Sequence, residues 1–202
     1  MPHPRPHTAT AITLALTLAL FASGCSTASE ESDTETKSAI PDASETWLAE
    51  YNLDGLDGRE ITEYFDAMPV ADRPEHLIAS VEPETLVLYD TSGNETTVPL
   101  PEDEFYLSFA PFIEHTHDCH FHSLTTCLGE LANEEIDITV TDETDAMLVD
   151  ETVRTYDNGF AGLWLPRDIK ATLTVTQGER SATVPISTAE DAPTCLTTLQ
   201  LT

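Results

Sequence analysis

The rhythm of apolar and polar residues changes twice along this chain. Over residues 44–68 apolar positions recur at three- and four-residue intervals. Ser44-Glu45-Thr46-Trp47-Leu48-Ala49-Glu50-Tyr51 sets a capping residue ahead of such a run, and Asp54-Gly55 breaks it. A second run from Asp57 to Met68 places Ile61, Tyr64, Phe65 and Met68 at i, i+3, i+4 and i+7. That spacing predicts one face of a helix that stops before Pro69. At that spacing Met68 reads as core rather than as a thioether ligand.

From residue 77 the period shortens. Leu77–Val81 and Thr85–Tyr89 are brief apolar runs, Ser92-Gly93-Asn94 reads as a hairpin turn, and Thr96–Leu100 and Phe105–Phe109 follow as strands. Ile136, Ile138 and Val140 alternate with Asp137 and Thr139. Leu148-Val149 and Thr152-Val153 continue the β pattern. Asp157-Asn158-Gly159 is a turn, and Phe160, Leu163, Trp164 and Leu165 lead onward. Leu173 and Val175, then Ala182, Val184 and Ile186, flank a turn at Gln177-Gly178, with Pro185 marking an edge strand. The expected fold is mainly β: a small α+β N-terminal region (44–114) followed by a β-sandwich-like domain (115–202).

The N-terminus adds a destination. Arg5 precedes an apolar stretch, Thr10 to Ala22, too short for a confident membrane span and placed where a signal peptide belongs. Ser23-Gly24-Cys25 resembles a bacterial lipobox, in which the cysteine becomes the lipidated first residue of the mature protein. Residues 1–24 are therefore read as a lipoprotein signal peptide and Cys25 as a lipid anchor. Residues 25–43, rich in Ser, Thr, Glu, Asp and Ala, read as a disordered acidic stalk. The expected location is the outer face of the bacterial cell membrane.

Charge narrows the partners. Eight basic residues stand against 37 acidic ones, a formal net charge of −29. Phosphates would be repelled, so nucleic acid is not expected as a partner. Most of these carboxylates read as a solvated acidic surface.

The chemistry concentrates between His115 and Cys127. Four of the seven histidines and two of the four cysteines fall there: His115, His117, Cys119, His120, His122 and Cys127. Thiolate with imidazole points to copper or zinc. No C-x2-C is present, which argues against a zinc finger. With Cys25 assigned to lipid, three cysteines remain, and in an oxidising compartment an odd number leaves two outcomes. Either one disulfide forms, as Cys119–Cys127, Cys119–Cys195 or Cys127–Cys195, or the set serves a metal. Eight residues span about 26 Å as a strand at ~3.3 Å each, or about 12 Å as a helix at ~1.5 Å. Cys119 and Cys127 can share one ion only if the chain bends, and Cys195 is the remote candidate to complete the site. Glu130 could orient a histidine or simply be solvated. Phe160 and Trp164 could flank the metal, although aromatic residues in a β region usually belong to the core. No P-loop, G-x-G-x-x-G or Ser-His-Asp pattern stands out.

Three separated segments carry a resemblance. His117-Asp118-Cys119-His120-Phe121-His122-Ser123-Leu124-Thr125-Thr126-Cys127-Leu128-Gly129-Glu130-Leu131, Tyr156 to Asp168, and Pro193-Thr194-Cys195-Leu196-Thr197-Thr198-Leu199 resemble, in order, the signature of the CueP family of exported bacterial copper-binding proteins. The resemblance spans about residues 44–202. It implies copper as cargo, with Cys119, Cys127 and Cys195 as principal ligands and nearby histidines as accessory ones. It also implies a part in copper tolerance and in supplying copper to exported superoxide dismutase. The stalk and the Cys25 anchor are not part of that pattern. Thiolates favour Cu(I), with zinc the lesser candidate. The expectation is a copper buffer or metallochaperone rather than an enzyme. Two alternatives remain: thiol-dependent reduction of Cu(II) to Cu(I), and a disulfide-stapled interaction module at the surface.

Overall fold

The computed structural model describes residues 43–202. The signal peptide, Cys25 and all but the last residue of the stalk lie outside the described residues.

The helical rhythm of the first segment becomes a 3-10 helix, Ala43–Tyr51, and an α-helix, α1, Gly58–Asp66. Asp57 caps α1 reciprocally: its carboxylate accepts the Glu60 N–H at 2.9 Å, and the Glu60 carboxylate accepts the Asp57 N–H at 2.9 Å. The buried stripe differs from the one the spacing predicts. Gly58, Ile61, Thr62, Phe65 and Asp66 face inward, while Tyr64 is 40% exposed. Thr62 tolerates burial because its hydroxyl donates to the Gly58 carbonyl at 2.7 Å, and Asp66 because it is fully hydrogen-bonded, as described below. Gly58 itself is required by close packing, since a Cβ there would collide with the Pro99 carbonyl.

Eleven strands follow among the described residues: β1 Leu77–Val81, β2 Thr85–Asp90, β3 Glu95–Pro99, β4 Glu104–Phe112, β5 His122–Ser123, β6 Glu135–Asp142, β7 Met147–Arg154, β8 Ala161–Pro166, β9 Lys170–Gln177, β10 Arg180–Ser187 and β11 Cys195–Gln200. They form three sheets, ordered β3-β2-β1-β5, β10-β9-β6-β7 and β11-β4-β8. All pairs are antiparallel except β11 with β4. The strand with Pro185, β10, lies at a sheet edge, where a residue without an N–H costs no ladder bond.

Two cores result. The first joins Leu48, Ile61 and Phe65 to Leu77, Val81, Leu86 and Leu88; the second gathers Ile136, Ile138, Val140, Leu173, Val175 and Leu199. Burying each such side chain contributes roughly 1.5–3 kcal/mol. Strand β4 serves both. Phe105, Leu107 and Phe109 enter the second core, whereas Tyr106 enters the first. With both faces covered, β4 is buried without a break from Phe105 to Pro111, and Ser108 is the one hydroxyl-bearing aliphatic side chain in an otherwise apolar and aromatic run. Met68 packs, partly buried, against the first core.

Strand β11 was not marked by the hydrophobic pattern. Its inward positions are Cys195, Thr197 and Leu199, so a buried threonine interrupts the alternation, and a register shift between Leu196 and Leu199 bends it further.

Candidate metal centre

Three chain segments meet where β5, β11 and the turn before β8 converge. The side chain of Thr194 ties the first two of these to β1. Its hydroxyl donates to the Val81 carbonyl of β1, accepts the His122 N–H of β5 at 3.0 Å, and immediately precedes Cys195. The Thr194 carbonyl accepts the Ser108 N–H of β4 at 2.9 Å, and the Cys195 N–H donates to the His120 carbonyl at 3.1 Å. The start of β11 is thereby fixed against both β4 and the histidine segment.

The bend that the cysteine spacing demands lies between Ser123 and Cys127. His122 and Ser123 pair with Val81 and Ser80, the Leu124 N–H extends that pairing to the Ala79 carbonyl at 2.8 Å, and the Cys127 N–H folds back to the Ser123 carbonyl at 3.0 Å. The Cys127 sulfur returns to within 3.7 Å of the Cys119 sulfur. Cys119 is disulfide-bonded to Cys195, with 5.6 Å between their Cα atoms, and Cys127 is the free thiol. Behind Cys127, Gly129 and Gly159 press backbone to backbone, the Gly129 N–H reaching the Asn158 carbonyl at 2.6 Å. A Cβ on either glycine would strike the other's main chain, and Gly159 also has φ +78°.

His122 is the buried centre. It has no solvent exposure; its Nε2 lies 3.1 Å from Asp66 Oδ1 and its Nδ1 lies 3.8 Å from the Cys195 sulfur. The Phe160 ring lies against it with centroids 4.6 Å apart. Asp66, at the last turn of α1, also accepts from the Tyr106 hydroxyl and from Asn158 Nδ2 at 2.9 Å, with Ser108 Oγ at 3.5 Å. Burial works against a charged Asp66, but the His122 charge and the hydrogen bonds from His122, Tyr106 and Asn158 prevail and hold its carboxyl below the usual range. Burial likewise disfavours an imidazolium, yet Asp66, followed by Cys127, pushes His122 up to about 9. Burial pushes the Cys127 thiol up; the neighbouring His122, a Ser123 backbone hydrogen bond and Arg73 outweigh it and bring the thiol below its ordinary value. Arg73 is buried, donates to the Cys127 carbonyl at 2.9 Å, and keeps its Nε and Nη2 without a hydrogen-bond partner among the described residues.

The ligand atoms fall into two groups that share one sulfur. His117, Cys119 and Cys127 form one; His122, Cys127 and Cys195 form the other; within each, the ligand atoms lie within 4.8 Å of one another. His117 is exposed and His122 and Cys195 are buried, so the pair of groups runs from surface to interior through half-buried Cys127. His115 and His120 lie outside both groups. His120 rests on the Phe121 ring, centroids 4.6 Å apart. His115 is exposed, its Nδ1 3.9 Å from Glu130 Oε1. The other Glu130 oxygen accepts the N–H groups of Ile113, Glu114 and His115 at 2.8, 2.9 and 3.0 Å, so Glu130 fixes the entry of the histidine segment through its backbone. Of the two aromatic candidates, Phe160 lines the site with Ala110 and the cysteines, whereas Trp164 packs against the first core under Arg59.

Asp66, Tyr106 and Arg73 carry no motif that marks them, and Asn158 and Thr194 lie inside two of the resembling segments without being singled out there. Asp66 reads as an ordinary polar residue at a helix end and Asn158 as a turn residue. Only their burial reveals them.

A mainly β scaffold that brings three cysteine sulfurs and two imidazoles into two overlapping groups has the donor chemistry of a binding protein for a soft metal ion. Residues 60–200 match the family described as periplasmic copper-binding protein CueP. A solved structure described as "Crystal Structure of S.CueP" is 38% identical and superimposes with a TM-score of 0.75, covering 81% of this chain and 100% of that one. A comparison with curated proteins finds no match. The chain belongs to the CueP family of periplasmic copper-binding proteins. No helix among the described residues is long and apolar enough to cross a membrane.

Proposed function

We propose that the reduced protein holds Cu(I) with Cys119, Cys127 and Cys195, aided by His122 and His117, and buffers or delivers it outside the cell. The observation that carries this reading is Cys127, whose sulfur belongs to both ligand groups and lies 3.7 Å from Cys119. Three thiolates suit Cu(I) better than zinc, which is more often held in closed four-ligand sites. The Cys119–Cys195 bond withdraws two of the three thiolates, so uptake requires its reduction. Anaerobic Cu(I) titration against a competing chelator tests the proposal. Reduced protein should bind tightly and each Cys→Ser variant more weakly. Unchanged binding in the triple Cys→Ser variant refutes it.

The disulfide favours a second reading. With both thiols reduced, Cys119 and Cys195 can give one electron each to two Cu(II), releasing two protons and leaving two Cu(I) and the disulfide. Cu(I) should then appear in step with the loss of two thiols. A constant thiol count during Cu(II) addition rules this out. A disulfide that survives mild reduction, with no copper uptake, would instead favour a stapled interaction module.

Tethering through Cys25 and delivery to an exported superoxide dismutase belong to the same proposal. The apolar stretch ahead of Gly24-Cys25 supports the tether. Incorporation of labelled fatty acid into the wild type but not into Cys25→Ala tests it. Activation of the apo-dismutase by copper-loaded protein, faster than by free copper under chelator, tests delivery.

A further inference from the structure

An imidazole offers a metal one nitrogen at a time, and the other must carry a proton or another bond. Around His122 the two nitrogens face different chemistry. Nε2 lies 3.1 Å from Asp66 Oδ1; Nδ1 lies 3.8 Å from the Cys195 sulfur, on the side where Cys127 also converges.

The partners of Asp66 settle which nitrogen holds the proton. Oδ1 accepts from Asn158 Nδ2 at 2.9 Å as well as facing His122, and Oδ2 accepts from the Tyr106 hydroxyl with Ser108 Oγ at 3.5 Å. The Asn158 amide is oriented independently, because its own oxygen accepts the Phe160 N–H at 2.8 Å and its nitrogen must then point at Asp66. A carboxylate ringed by donors is an acceptor at every position, so Nε2 faces it as N–H. Nδ1, aimed at the sulfurs, is then the nitrogen free to give up its proton to an entering metal. Phe160 packed on the ring face opposes a ring flip, and His122 and Asp66 are both fully buried, so water cannot substitute for the carboxylate.

We infer that Asp66 is a positioning residue for the metal site: it keeps the Nε2 proton of His122 in place, so that Nδ1 is the nitrogen that yields its proton and binds copper. Asn158, Tyr106 and Ser108 hold Asp66 in turn. This rests on the proposed reading of His122 as a ligand. Carboxylates that orient a ligating histidine in this way characteristically contribute about 10–100-fold to metal affinity.

The test uses the reduced full-length protein, Cu(I) for affinity and Ag(I) as an NMR-active substitute. In the wild type, two-bond nitrogen–proton correlation should show Nε2–H, and silver–nitrogen coupling should appear at Nδ1. Silver coupling at Nε2, or loss of the Nε2 proton in the metal-loaded protein, overturns the inference without needing any variant. Asp66→Asn should lower Cu(I) affinity about 10–100-fold and lose the single-tautomer signature, while three thiols remain titratable. Wild-type affinity and tautomer in Asp66→Asn also overturn it. His122→Ala separates the two levels. If that variant binds copper as the wild type does, the ligand reading of His122 fails. If it binds weakly while Asp66→Asn is unaltered, only the role given to Asp66 fails.

Discussion

The Cys127 sulfur sits 3.7 Å from the Cys119 sulfur, although eight residues separate them and could span about 26 Å when extended. The return path is a single turn, Ser123 to Cys127, launched from the two-residue strand β5 and pinned by its pairing with β1. The metal chemistry of the C-terminal half thus depends on the N-terminal sheet that anchors this turn.

That dependence predicts the effect of Thr194→Val. The change is nearly isosteric but leaves the His122 N–H and the Val81 carbonyl, both buried, without their partner. An orphaned buried polar group costs about 1–3 kcal/mol. Urea unfolding should show a loss of that order, and Cu(I) affinity of the reduced variant should fall with it.

Gly159→Ala should destabilise by roughly 1–3 kcal/mol, since it combines an unfavourable positive φ with a collision against Gly129. The same change displaces the segment behind Cys127. Denaturation midpoint and Cu(I) titration on one preparation would check both effects.

Reducing the Cys119–Cys195 bond, which closes a separation of 76 residues, should lower stability by roughly 2–4 kcal/mol in the absence of copper. Parallel urea curves with and without reductant measure it, and the Cys119→Ser/Cys195→Ser double variant should give the reduced curve with or without reductant.

Acid should loosen the histidine segment through Glu130. Three backbone N–H groups, those of His115, Glu114 and Ile113, hold its carboxyl down at about 2. The folded value is depressed, so this stabilisation is complete above the ordinary carboxylate range and is lost as pH falls from there through about 2. Hydrogen exchange at Ile113, Glu114 and His115, taken relative to the intrinsic rate at each pH, should stay slow above that range and quicken on acidification. In Glu130→Gln it should be faster near neutrality and lack that dependence.

Met68→Leu should leave Cu(I) affinity unchanged, because Met68 packs on the first core and belongs to neither ligand group. A tenfold loss in the same titration would contradict the site as described.

Much of this architecture was legible before any coordinates. Period-two alternation in β6, β9 and β10 marked strands that bury one face, and Ser92-Gly93-Asn94 marked its turn because few other residues suit one. The helix and most of its face are legible, since Ile61, Phe65 and Met68 pack on the first core, but Tyr64 is exposed and Asp66 turns inward, because hydropathy cannot anticipate a carboxylate satisfied by Tyr106, Asn158 and His122. Strand β11 was hidden by Thr197, a polar residue at an inward position. The cysteines and the histidine cluster announced a metal, whereas the selection of His122 and His117 over His115 and His120 depends on where the chain turns.

The bond between Cys119 and Cys195 also has a consequence for chain topology. While it stands, everything from residue 120 to residue 194 is a covalent ring closed at the pocket, and the two sulfurs that close it are withheld from copper. Cutting the ring frees the ligands and releases the chain in one act. On the proposed reading, the metal then rejoins the two ends it has just been offered, so the cargo becomes the clasp, and a protein emptied in its reduced form is the loosest of the three states.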